Sequence, residues 1–204
     1  MKISTLTSFV ATMAVAAGTA TADEAVRSHS FDATGIEHLR IEHRAGELIL
    51  MPAEGDQIEV ELRIESRNGE RASDLTDLDL ASSVRGNLLT LSFRKRKVES
   101  HMLVRVPPLK QLTVDAGAGE VRGTLPPMAT DVRLGAGSVD LEVDRSATGL
   151  IDLRARIGDT VIQGAPNDET NRVLLVGSTS SAAGEGANRV EASVRVGDVR
   201  VGLR

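Results

Sequence analysis

Residues 112–123, "LTVDAGAGEVRG", join an alternating run of apolar and polar residues to three glycines. Two local structures are compatible with this stretch: a phosphate-binding glycine loop, or a turn between two strands. A dinucleotide-binding loop opens a helix, and its third glycine falls three residues after the second. Here Gly123 is one position too late, and Pro126 and Pro127 follow where that helix would need helix-forming residues. The stretch therefore predicts a turn that leads into another strand.

The same pattern recurs later in the chain. The sequence stretches centred on Gly137, Gly158 and Gly197 repeat the order of alternating strand, glycine, polar residue and second short strand. Together with Gly119, these glycines are spaced 18, 21 and 39 residues apart. Because the last interval is close to two steps, we expect a degenerate unit in "NRVLLVGSTS" (171–180). The residues expected to mark that unit are Val173 and Leu175, facing inward, and Ser178, near the glycine position. An earlier line, "LRIEHRAGELIL" (39–50) around Gly46, has the same form but stands apart in the sequence.

A repeat of about twenty residues with one apolar face per strand is typical of a solenoid, in which each unit buries its apolar side against its neighbours. We therefore predict an all-β protein, a single-stranded β-solenoid (β-helix) of roughly twenty-residue coils from Leu112 to the C-terminus. Alternation predicts that Val132, Leu134, Val139, Leu141 and Val143 point inward and that Arg133, Asp140 and Glu142 point outward. The glycine register also predicts that Asp115 lies opposite Arg133, and Arg122 opposite Asp140.

The preceding segment is rich in strands but less regular. "IEVELRI" (58–64) and "NLLTLSF" (87–93) each predict a strand, the second with Leu89, Leu91 and Phe93 on one face and a turn at 85–87 before it. The polar residues 66–74 predict a loop. No change in composition resembles a linker, so residues 23–204 are expected to form a single domain.

The first residues have the pattern of a secretory signal peptide. Lys2 precedes an apolar run of small residues at 9–17, and Ala20-Thr21-Ala22 places small residues at the positions read by the peptidase. We expect cleavage after Ala22 and a periplasmic or secreted protein of 182 residues. No later segment is apolar for long enough to cross a membrane.

The composition disfavours several classes of function. The chain contains no cysteine, tryptophan or tyrosine, and beyond the signal peptide its only aromatic rings besides histidine are Phe31 and Phe93. Thiol catalysis and zinc–thiolate sites are therefore excluded, and the rings that stack on sugars and single-stranded nucleic acids are scarce. A net charge of −6 after removal of Lys2 also argues against a nucleic-acid partner.

The run "HMLVRVPPLKQLTVDAGAGEVRG" (101–123), together with the line around Gly46, resembles the bacterial "putative adhesin" family of β-strand repeat proteins. The resemblance extends from about Ile36 to Arg204. It implies an exported or surface-exposed protein with a right-handed β-solenoid fold. Members mostly lack a defined activity, so the resemblance assigns no catalytic residue.

The four histidines are candidate metal ligands. His38 and His43 lie beside Glu37 and Glu42, but His38 and Glu42, which share a strand face, are separated by about 13 Å of strand rise. His29 and His101 have no ligand-like spacing. Solvated strand faces are the favoured interpretation, and no metal site is assigned.

Two charge clusters remain. Asp74, Asp77 and Asp79 lack the glycine turn and closing glutamate of a calcium loop, which favours a solvated acidic edge. The basic run Arg94, Lys95, Arg96 and Lys97 could hold an anionic envelope polymer, although such runs are more often solvated turns that deter edge pairing.

These observations predict an exported, non-enzymatic protein that presents a binding surface to an envelope protein or to an anionic envelope polymer, without a cofactor. The alternative is an enzyme or small-ligand binder acting on envelope polysaccharide, although no catalytic residue can be singled out. A groove of stacked outward carboxylates would favour the enzyme. An exposed apolar or single-sign face would favour binding.

Overall fold

The computed structural model describes residues 16–17, 24–66, 75, 77–165, 168–173 and 177–204. These residues form strands joined by turns, which confirms the prediction of an all-β protein. The strands are β1 Ala16–Ala17, β2 Glu24–Asp32, β3 His38–Pro52, β4 Gln57–Ser66, β5 Ala81–Arg85, β6 Leu88–Phe93, β7 Val98–Val106, β8 Gln111–Thr124, β9 Ala129–Val143, β10 Thr148–Ile157, β11 Thr160–Gln163, β12 Asp168–Val173, β13 Gly177–Ala183 and β14 Asn188–Leu203. Within the described ranges, no helix has the length and hydropathy needed to cross a membrane.

Four long strands share one bend. In β8, the buried positions Leu112 and Val114 lie before Gly119 and the buried Val121 lies after it, so the alternation changes phase at the glycine. Gly119 has a φ of 125°, a backbone conformation that residues with a side chain rarely adopt. The strands β3, β9 and β14 bend in the same way at Gly46, Gly137 and Gly197, and β10 and β11 meet at Gly158, all with positive φ. Each bend divides a strand into two arms whose inward side chains belong to a single hydrophobic core.

The bent strands are parallel and their glycines are aligned. Gly46 pairs with Gly119, Gly119 with Gly137, and Gly137 with Gly197. The predicted register is confirmed: Asp115 lies opposite Arg133, and Arg122 lies opposite Asp140. The inward positions predicted for β9 are all at least 96% buried, and Arg133, Asp140 and Glu142 lie on the outer side.

The predicted right-handed, single-stranded β-solenoid is wrong. The strands form one open, mixed sheet in the order β1-β2-β4-β7-β3-β8-β9-β14-β10-β13-β12, so β14 lies between β9 and β10 instead of following β11 at the end of a stack. The stretch around Gly46, which stands apart from the repeats in the sequence, pairs directly with β8. Consecutive coils of twenty residues therefore do not describe the chain.

The degenerate coil predicted at 171–180 is also wrong where it can be examined. β13, which contains Ser178, runs antiparallel to β10 and pairs Ser178 with Ala155. Ser178 is buried, and its hydroxyl hydrogen-bonds Thr160 and the carbonyl oxygen of the bend glycine Gly158, but it does so from an antiparallel strand and not from a stacked parallel coil. Leu175 and the side chain of Val173 lie outside the described residues.

The N-terminal half adds antiparallel strands to the second arm of the sheet. β2, β4 and β7 pair antiparallel, and β7 then pairs parallel with β3. The predicted strand 58–64 lies within β4, and the predicted face of Leu89, Leu91 and Phe93 on β6 is buried. The turn at 85–87 joins β5 to β6 as a hairpin. Most of the predicted loop 66–74 and of the predicted signal peptide 1–22 lies outside the described residues.

A cationic corner as the candidate functional site

The bend places two consecutive residues of each strand on the outer surface. The first of the two residues lies two positions before the bend glycine, and we call these residues the first corner row. They are Arg44 on β3, Gly117 on β8, Gly135 on β9, Arg195 on β14 and Arg156 on β10. The next position carries Ala45, Ala118, Ala136, Val196 and Ile157, the second corner row. A flat strand would direct one row inward. At the corner both rows point outward because the phase of the alternation changes there.

The basic run extends this corner by one strand. Phe93 of β6 pairs with His43, and Ser100 of β7 pairs with Gly46, so the chain crosses the corner between them. This crossing takes six residues, 94–99, whereas the equivalent crossing in β3 takes two. Of the six, residues 94–97 form an exposed basic loop beside Arg44. Within it Lys97 has a φ of 66°, the only positive φ of a residue other than glycine in the described ranges.

The base of this loop is held by a buried polar pair. His43 Nε2 lies 2.8 Å from Ser100 Oγ, and the Ser100 hydroxyl donates to the carbonyl oxygen of Ala45 at 3.2 Å. The hydroxyl has a single proton, so His43 Nε2 is the donor to Ser100. Burial lowers the pKa of His43 to about 4, and the nearby His101 adds to this, so the imidazole is neutral near pH 7. The pair therefore positions the loop without adding charge to the corner.

The corner carries charge of one sign. The first corner row and the basic loop together contain seven Arg and Lys residues and no Asp or Glu: Arg44, Arg94, Lys95, Arg96, Lys97, Arg156 and Arg195. Arg94 reaches Glu42 at 3.5 Å. Four of these cations form no ion pair within the described ranges: Arg44, Lys95, Arg156 and Arg195. Ion pairs are common on the rest of the outer surface. We call this set of seven residues the cationic corner.

The basic loop and the neighbouring strands enclose a shallow cavity of about 460 Å³. Its polar lining is contributed by Arg44, Arg94, Lys95 and Lys97, and Gly117 and Ala118 of β8 form part of the floor. Four cations around one small cavity raise the local positive potential, which attracts anions. Residues 112–123 continue as strand β8 through their glycines and open no helix, so they are not a nucleotide loop, but Gly117 and Ala118 do lie beneath basic side chains.

Carboxylates also stack on the outer surface, in a different row. Glu47, Glu120 and Asp198 occupy equivalent positions on β3, β8 and β14, just after the bend. Partial burial raises the pKa of Glu47, but hydrogen bonds from His101 and Arg122 outweigh this and leave the pKa below its ordinary value. A carboxylate held ionised by hydrogen bonds from an arginine and a histidine is a poor general acid. The single-sign face is thus the more distinctive of the two surfaces.

The histidines considered as metal ligands are not brought together. His38 contacts Gln111, His43 is buried against Ser100, and His29 is buried with Nε2 2.8 Å from Asp79. Glu37 pairs with Lys110, and Glu42 pairs with Arg40 and Arg94. His101 lies between Glu47 and Glu65. Among the residues described, no group of three or more His, Asp or Glu side chains is arranged to hold a metal ion.

The acidic cluster 74–79 is divided in the same way. Asp79 accepts from His29 and from the backbone amide of Leu80, and Asp77 is exposed. Asp74 lies outside the described residues. The visible role of Asp79 is to hold its segment against β2.

The sequence interpretation found the basic run but missed Arg44, Arg156 and Arg195. A signal was present: three of the five aligned lines have Arg two residues before the bend glycine, in "RAG", "RIG" and "RVG". Alternation alone already places these arginines outward, because His43, Ala155 and Val194 directly before them are buried, but it would turn the second corner row inward. Only a phase change at the bend brings both rows to the surface.

One comparison with a solved structure supports the all-β fold. No family model matches the chain, and no curated protein matches it. A solved structure described as a "putative cell adhesion protein" from Clostridium sporogenes ATCC 15579 has a TM-score of 0.52 at 12% identity, and the match covers 90% of this chain and 100% of that one. A "putative adhesin" from Bacteroides fragilis NCTC 9343 has a TM-score of 0.30 at 9% identity, covering 86% and 96%. A "putative lipid binding protein" from Parabacteroides distasonis ATCC 8503 has a TM-score of 0.30 at 10% identity, covering 87% and 94%. The first likeness shows a shared all-β fold.

Proposed function

We propose that the protein is an exported, non-enzymatic binding protein whose cationic corner holds an anionic component of the cell envelope. The observation that carries the proposal is the concentration of seven cations in the first corner row and the basic loop, which contain no Asp or Glu, in a protein with a net charge of −5. In a chain with this charge, cations distributed without function would be expected to alternate with acidic residues. They do so elsewhere on this sheet, for example at Arg40–Asp115 and Arg200–Asp140.

The structure of the corner favours binding over catalysis. Its cations are exposed and lie at the two ends of the corner: Arg44 and the basic loop at one end, and Arg195 and Arg156 on the neighbouring strands β14 and β10 at the other. With strands about 4.8 Å apart, the two ends are about 14 Å from each other, so the cations line an extended surface and not a closed pocket. Such a surface suits an extended anionic partner, which contacts several cations at once. Localisation outside the cytoplasm rests on the signal-peptide pattern of residues 1–22.

The adhesion role printed for the Clostridium sporogenes protein is a role of the same kind. At 12% identity that likeness extends to the fold, so the proposal depends on the corner itself.

Affinity for long-chain polyphosphate, a soluble polyanion, tests the proposal. The corner variant Arg44→Glu with Arg195→Glu reverses two cations that form no ion pair within the described ranges. The matched control Arg85→Glu with Arg200→Glu changes the net charge equally at exposed positions away from the corner. We expect the corner variant to lose at least about tenfold in affinity and the control less than about twofold, both measured at one fixed salt concentration. Equal losses in the two variants would show that net charge, not the corner, determines binding.

A further inference from the structure

Two aliphatic side chains lie directly beside the cations of the corner. Ile157 and Val196 are 50% and 49% exposed, and they pair in register on the neighbouring strands β10 and β14. Each follows an arginine of the first corner row, Arg156 or Arg195. The equivalent positions on β3, β8 and β9 carry alanine. The corner therefore has a basic, aliphatic end in addition to its basic loop.

Exposed aliphatic side chains add nothing to the binding of a highly charged, soluble polymer, whose contacts with arginine and lysine are electrostatic. An anionic membrane surface is different, because it offers phosphate groups directly above hydrocarbon. Arginine and an adjacent aliphatic residue match these two layers. The arginine reaches the phosphates, and the aliphatic side chain enters the acyl boundary.

The shape of the corner points the same way. Between Arg44 and Arg195 the strands β8 and β9 carry only Gly117, Ala118, Gly135 and Ala136, so no side chain rises above the sheet across about 14 Å. A flat outer edge can meet a planar surface. A second copy of this chain is a poor occupant, because two such edges would bring their cations together.

We propose that the cationic corner docks on an anionic lipid surface, with Val196 and Ile157 inserted among the headgroups. This inference rests on the proposed function and names the partner of the same site. A soluble anionic polymer is the alternative that the experiment separates from it.

The test compares binding to vesicles of phosphatidylcholine, to vesicles of equal parts phosphatidylcholine and phosphatidylglycerol, and to polyphosphate. Three double variants are used: Val196→Ser with Ile157→Ser, the corner variant Arg44→Glu with Arg195→Glu, and the control Val84→Ser with Val161→Ser. The control removes two exposed aliphatic side chains from other parts of the surface, where Val84 is 56% and Val161 41% exposed. Far-UV circular dichroism and thermal unfolding establish that each variant is folded.

We expect the unmodified protein to bind only the vesicles that contain phosphatidylglycerol. The corner variant should lose at least about fivefold in vesicle affinity for each cation reversed. The variant at 157 and 196 should lose at least about fivefold on vesicles but bind polyphosphate unchanged. The control should behave like the unmodified protein.

Two outcomes would overturn the inference and leave the proposed function standing: polyphosphate binding without vesicle binding, or vesicle binding that is insensitive to the change at 157 and 196. Binding to neither vesicles nor polyphosphate would overturn both proposals.

Discussion

The carbonyl oxygen of Gly119 occupies the space that a Cβ atom at Gly137 would need. The two residues pair in register on β8 and β9, and Gly137 has a φ of 128°. Two separate constraints, close backbone approach and positive φ, thus require glycine at the same position. The same relationship holds between Gly46 and Gly119 and between Gly137 and Gly197, so the stacked glycines form the bend on which both corner rows depend.

Replacing Gly137 by alanine should therefore be costly. We expect Gly137→Ala to lower the free energy of unfolding by at least about 2 kcal/mol, because the backbone must shift to admit the methyl group and the φ is unfavourable for alanine. Gly55→Ala is the matched control, since a Cβ at Gly55 meets no atom within 4 Å. Urea unfolding measures both. A cost at Gly137 as small as that at Gly55 would contradict the tight stacking of the bends.

The buried His43 should make stability depend on pH. Its pKa in the folded protein is about 4, below the value of about 6.5 expected in the unfolded chain. Between these values the unfolded state binds more protons, so the free energy of unfolding falls as the pH is lowered from about 6.5 to about 4, by about 3 kcal/mol in total. His43→Gln removes this contribution while keeping an amide that can donate to Ser100. Denaturant unfolding across this range should show a smaller decrease for the variant, and parallel curves for the two proteins would refute the assignment.

The backbone at Lys97 should be strained, so that the lysine favours anion binding at the expense of the free energy of unfolding. Its φ of 66° is unfavourable for lysine and free of strain for glycine. We expect Lys97→Gly to raise the free energy of unfolding by about 1 kcal/mol and to weaken polyphosphate binding. Lys95→Gly is the control, because the backbone of Lys95 has no positive φ and should gain no stability. A decrease in stability of equal size at both positions would show that the loop is not strained at Lys97.

The sequence could predict which residues occupy equivalent positions, but not which partners they choose. Asp115 and Arg133 face each other as expected, yet Asp115 pairs with Arg40 on its other side and Arg133 pairs with Asp131 on its own strand. Exposed ion pairs contribute little, so the choice among several neighbours depends on local side-chain geometry. Repeat register constrains the backbone far more than it constrains these contacts.

The order of the strands could not be predicted because the sequences of all the bent strands show the same alternation and the same glycine. Any of them can pair with any other in parallel, and a period of about twenty residues only suggests that neighbours in sequence are neighbours in space. Here β13 pairs antiparallel with one edge of β10, which leaves the other edge for β14. The alternation and the glycines were readable in the sequence. The antiparallel pairing of β13 with β10 was not, since it interrupts the parallel repeat without a signal of its own in the sequence.

The distribution of lysines allows the central claim to be tested in a single measurement. The chain contains four lysines: Lys2 in the predicted signal peptide, Lys95 and Lys97 in the basic loop, and Lys110, which pairs with Glu37 away from the corner. Acetylation of the protein with and without saturating polyphosphate, followed by mass spectrometry, reports the exposure of each lysine. The account predicts that Lys95 is strongly protected by the polyanion and that Lys110 is modified at an unchanged rate. Unchanged modification of Lys95, or equal protection of Lys95 and Lys110, would contradict the claim that the cationic corner is the binding site.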